Sequence, residues 1–123
     1  MVMKKVGYID LPEHRGAGGF DHADVHSPSD RLYVAHTSND AIDVIDSAHD
    51  RYIESMPGLT GVAGALVSEA RGLVFSSNRG ENTVSVFAPR ADRTDARDVI
   101  VFQLDVSLAV EAHADPLARK FHA

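Results

Sequence analysis

The sequence predicts an all-β fold assembled from repeated four-stranded antiparallel units. Three observations carry that prediction. Laid over itself, the chain places GFDHADVHSPSDRLYVAHT (19–37) on TGVAGALVSEARGLVFSSN (60–78) without a gap, with a period of 41 set by Leu32 and Leu73, and a repeated unit constrains architecture more firmly than propensity does. Each copy consists of short β-branched or aromatic runs of alternating polarity broken by turn formers, as antiparallel strands with tight connections require. No comparable stretch has helical periodicity.

Taken in order, GYIDLP (7–12) resembles YIESMP (52–57), so residues 4–12 are expected to supply an orphan outer strand of some other unit. GAGG (16–19) reads as a flexible lead. The first unit then has strands FDHADVH (20–26), RLYVAHT (31–37), AIDVID (41–46) and RYIESM (51–56), separated by the turn residues SPSD, SND and SAHD. PGLTG (57–61) connects to the second unit, with strands VAGALV (62–67), GLVFSS (72–77), TVSVFA (83–88) and DVIVFQL (98–104). One inserted residue in the loop after Thr37 brings NDAIDVID (39–46) onto ENTVSVFA (81–88), and RADRTDARD (90–98) lengthens the last connection. DPLARKFHA (115–123) resembles SPSDRLYVA (27–35), so residues 108–123 are expected to begin a third unit.

Four-stranded antiparallel sheets repeating at about 40 residues are β-propeller blades. RLYVAHTSNDAIDVID and GLVFSSNRGENTVSVF resemble the YVTN-type repeat, whose pattern is close to RLYVTN, a polar turn, then NTVSVID; the resemblance spans residues 20–88. The YncE-like family it indicates is described as seven-bladed, and is similar to lactonase-type propellers and to propeller subunits of some periplasmic redox enzymes. The expected organisation is a single partial β-propeller domain, 1–123, with blades at 20–57 and 61–104, an orphan strand at 4–12 and a partial blade at 108–123. Two whole blades with such flanks do not close a ring. A fragment, a truncated product or part of an assembly is expected, with self-association through open blade edges.

The 123 residues, 44% hydrophobic and 24% charged, suit one soluble globular domain. A net charge of -6 with twelve scattered Lys and Arg residues opposes binding to nucleic acid or an anionic membrane. Cysteine is absent, which excludes disulfides, thiolate nucleophiles and cysteine-held metals. A cytoplasmic protein is the default reading without a signal-peptide core; a periplasmic or secreted one follows if a leader precedes the chain.

Chemistry concentrates in FDHADVH. His22, Asp24 and His26 alternate, so an extended chain projects all three from one face. His22 and His26 would stand roughly 13 Å apart along the strand, too far for one metal ion to hold both. If SPSD pairs His26 with Leu32, His22 faces His36, and Asp24 lies on the diagonal. His22, Asp24, His26 and His36 are therefore the candidate ligand-binding residues. No cofactor is predicted, although a divalent metal could sit there. A one-residue change of register would end that convergence. The competing reading is packing, because the second unit has Ala63, Ala65 and Val67 at these places and the family resemblance implies apolar residues there. Buried in that way, His22 and Asp24 would satisfy hydrogen bonds and tie blades together. Asn39, Asp40 and Gly80 read as turn formers, and Glu13, His14 and Arg15 as a polar connection at the channel mouth.

Three function classes follow. The first is a non-catalytic YncE-like propeller, a scaffold for a small molecule or protein. The second is a lactonase-type hydrolase using a channel metal or His/Asp site; no motif of that group maps onto the chain, so no catalytic residue is assigned. A redox-partner propeller is a third, with its chemistry on another subunit.

Overall fold

A computed structural model describes residues 2–88 and the backbone of 99–105. Eight strands form two four-stranded sheets. β1 (Ala23–His26), β2 (Arg31–His36), β3 (Ala41–Asp46) and β4 (Arg51–Met56) make the first, in that order. β5 (Val62–Ser68), β6 (Leu73–Asn78), β7 (Thr83–Ala88) and β8 (Val99–Asp105) make the second. All neighbours are antiparallel. The partial blade expected at 108–123 and the connection at 90–98 lie outside the described residues.

The two sheets are copies of one module. His26 stands opposite Arg31 as Ser68 stands opposite Leu73, and His36 opposite Ala41 as Asn78 opposite Thr83, so equivalent residues lie 42 apart across the first three strands of each sheet. Both outer hairpins carry a register shift at the same place, between Val44 and Ile45 and between Val86 and Phe87. The period of 41 for the first half of the repeat is thereby corrected: Phe75 is the counterpart of Tyr33, not of Val34. These central strands are apolar on both faces, so a match out of phase by one residue still superimposes apolar on apolar.

The register expected for the first hairpin is also corrected. Ser27–Ser29 form a 3₁₀ turn closed by the Asp30 N–H on the Ser27 carbonyl (3.1 Å), with Asp30 left-handed at φ 53. That four-residue turn sets Arg31, rather than Leu32, opposite His26, and Asp24 opposite Tyr33. His22 consequently lies beside Ala35, whose N–H it accepts at 2.9 Å, and His36 belongs to the other face.

The core fills the space between the sheets. Tyr33, Ala35, Ile42, Val44 and Met56 of the first sheet pack with Leu59 of the connection and Val62, Ala65, Val74 and Phe87 of the second sheet. The opposite face of the first sheet carries Leu32, Val34, His36, Asp43 and Ile45. Residues 4–12 form no strand there, contrary to the expected orphan strand. A fourth strand exists by pairing with a third, and the third strand of another unit is not among the described residues. Residues 12–20 instead run as a strap against the His36 end of this face.

Candidate functional site

A chain of hydrogen bonds crosses the first sheet on the face away from the second. Asp43 sits in AIDVID at the parity that faces His36, and both side chains are fully buried. One Asp43 carboxylate oxygen accepts from His36 Nδ1 at 2.7 Å and the other from Ser55 Oγ at 2.6 Å. Because the serine hydroxyl is used on the carboxylate, Tyr52 O–H donates to Ser55 Oγ at 2.7 Å. On the other side, His36 Nε2 lies 2.7 Å from His14 Nδ1, which is also 3.0 Å from Ser38 Oγ. Phe20 covers the group, its ring centroid 4.2 Å from that of His36 and 5.1 Å from that of His14.

Asn39 positions His14. Its Oδ1 accepts the Arg15 N–H at 2.7 Å and its Nδ2 donates to the Glu13 carbonyl at 2.9 Å, which clamps the backbone on either side of the histidine. The Ser38 N–H donates to the Gly19 carbonyl at 3.1 Å. Gly18 and Gly19 take φ values of 116 and 98, which a side chain would oppose, and so turn the strap into β1. GAGG is thus a shaped bend.

The second sheet has its counterpart in uncharged form. Asn78 and Ser85 stand where His36 and Asp43 stand in the first, joined by Asn78 Nδ2 donating to Ser85 Oγ at 2.9 Å. Both modules bridge their two central strands with one buried polar pair, as buried polar groups require. Among the described residues, only the first links it to a segment outside the sheet.

The four residues nominated from sequence go to different places. His22 is exposed, with Nδ1 2.7 Å from Asp21 Oδ1. Asp24 accepts the Val25 N–H at 2.9 Å and, across to the second sheet, the Val67 N–H at 2.7 Å. His26 is buried against Ser29 Oγ at 2.6 Å. His36 belongs to the chain through Asp43. The convergence of His22, Asp24 and His36 does not occur, and no group of three or more metal-ligating side chains is present among the described residues. Sequence reasoning missed Asp43, Ser55, Tyr52 and Phe20. Asp43 had a signal, an aspartate between Ile42 and Val44 in an otherwise apolar strand; His14 had none.

A depression of about 590 Å³ opens where β1 meets the second sheet. Its floor is Ala63, Ala65, Leu66, Phe75 and Val84, and His22 and Asp24 stand on its rim. Leu66 is 62% exposed there.

Among solved structures the fold is similar to the β-propeller domain of Myceliophteria thermophila Cps50 (Swd1), with a TM-score of 0.60 at 14% sequence identity. The fold is that of a β-propeller. The similarity covers 73% of this chain and 30% of that one, so the two sheets correspond to an arc of blades. No protein-family model matches the chain, and no curated protein does.

Proposed function

We propose that this β-propeller arc is a non-catalytic, YncE-like scaffold of the YVTN type that binds a small molecule or a protein surface in the depression between β1 and the second sheet. The observation that carries the reading is the division of labour among the nominated side chains. Asp24 and His36 are committed to bonds between sheets and strands and His26 to the turn after β1, whereas the His22 ring, although its Nδ1 lies 3.3 Å from the Ala63 carbonyl, is largely exposed beside an open apolar floor. An apolar floor with a few polar groups at its edge suits ligand recognition. The resemblance of RLYVAHTSNDAIDVID to the YVTN pattern supports the family assignment, and that segment makes the β2–β3 hairpin on which the module is built.

The test uses the fluorescent probe 8-anilinonaphthalene-1-sulfonate, which has an apolar body and one anionic end. Titration is expected to show saturable binding, weakened about tenfold by Leu66→Lys, the equivalent of about 1.4 kcal/mol, and more modestly by His22→Ala. Unchanged affinity in Leu66→Lys would place the probe elsewhere and defeat the proposal. A parallel lactone-hydrolysis screen at neutral pH addresses the hydrolase alternative, which gains if turnover appears and falls in His22→Ala.

A further inference from the structure

We propose that the strap, residues 12–20, is released by acid, and that the facing nitrogens of His14 and His36 are its sensor. The inference is independent of what the depression binds. It rests on how many hydrogens fit between two rings.

As a carboxylate, Asp43 only accepts, so His36 carries a hydrogen on Nδ1 and turns Nε2 toward His14 Nδ1 at 2.7 Å. That contact holds one hydrogen. Either His14 donates to a neutral His36, or a protonated His36 donates to His14. One imidazolium is accommodated in both arrangements. When both rings are doubly protonated, two N–H groups point at one another across 2.7 Å; the His14 hydrogen has the Ser38 hydroxyl at 3.0 Å as an alternative acceptor, but the His36 hydrogen has none. The docked strap therefore takes one proton fewer than the released strap, and acid favours the state that binds more protons.

Among the described residues, the surroundings offer the His36 hydrogen no acceptor in place of His14. From β3, Asp43 faces His36 alone, on the nitrogen away from His14; from β4, Ser55 and Tyr52 occupy its second oxygen. Ser38 and Asn39 in the turn are neutral. Phe20 covers the rings. Glu13 and Arg15, of opposite charge, flank His14 and are exposed. The remaining fastenings are the two Asn39 bonds to Glu13 and Arg15 and the Ser38–Gly19 bond. Release uncovers His36 and the end of the sheet face on which it lies.

Amide hydrogen exchange tests this on the intact chain between about pH 7 and pH 5, the range in which histidine titrates. After correction for intrinsic rates, protection of the Arg15 and Ser38 amides is expected to fall with decreasing pH, by at most about tenfold per unit for one proton. Tyr33 and Val44, in the centre of the sheet, are expected to keep theirs. His14→Asn places an amide that can present either a donor or an acceptor where Nδ1 stands, and is expected to leave the strap docked with the pH dependence gone. Constant Arg15 protection in the native chain, an unchanged slope in His14→Asn, or simultaneous loss at Tyr33 and Val44 would overturn the proposal. So would ring ¹⁵N signals showing both histidines doubly protonated while Arg15 remains protected.

Discussion

At the scale of single residues, this chain uses aspartate in three ways. Asp30, Asp40 and Asp50 adopt left-handed φ values of 53, 51 and 52 and close turns, a conformation that aspartate tolerates better than most side chains. Asp24 and Asp43 tie buried elements together. Asp46 caps the turn after β3, and its carboxyl is held below the ordinary 3.8 chiefly by the hydrogen bond from His49, with the His49 and Ala48 amides adding to it against the opposing effect of burial. A carboxyl lowered on folding contributes stability above its unfolded value and loses that contribution as pH falls through the folded one. The expected outcome is a loss of stability below about pH 4, part of which disappears in His49→Ala, where NMR titration should find Asp46 closer to its ordinary value. The types of these residues were legible in the sequence, but their partners were not. Nothing in the spacing of His14 and His36 indicates that a strap folds back across 22 positions.

At the scale of elements, the strands were largely legible because each is a short alternating run between turn formers. Register was not, since it depended on whether the SPSD turn closes after four residues or five. One left-handed aspartate decided that, and with it which face His36 occupies. The glycines of the connections allow a graded check. Gly72 has φ +62 with open space around it, whereas Gly61 has φ +65 and an added Cβ would lie 2.6 Å from the Gly80 nitrogen. Gly72→Ala is expected to cost about 1 kcal/mol, for the left-handed backbone alone. Gly61→Ala should cost about 3 kcal/mol, since the strained backbone and the close approach add. Urea unfolding of the two variants distinguishes them, and equal losses would mean that the PGLTG connection yields at no cost.

At the scale of the whole molecule, the sheets are joined by apolar packing, by the PGLTG connection and by a few polar ties between β1 and β5. The His22 N–H donates to the Ala63 carbonyl at 3.1 Å, and Asp24 receives the Val67 N–H at 2.7 Å. Asp24→Ala leaves that amide without its charged acceptor, and a loss of about 2 kcal/mol is expected. Exchange at Val67 should accelerate first, ahead of Tyr33 in the first sheet; if Val67 keeps its protection, the tie between sheets lies elsewhere. The repeated module was visible in the sequence because its turn chemistry recurs, whereas the strap was not, because it occurs once.

That single occurrence gives the arc a polarity. The buried polar pair of the second module is covered by a neighbouring sheet, that of the first by a short peptide, while the Leu66 and Phe75 side has no such lid among the described residues. Modules stacked head to tail have unlike ends, and here the strap deepens the difference: it shields the His36 end of one outer face and leaves the opposite outer face to meet whatever packs there directly.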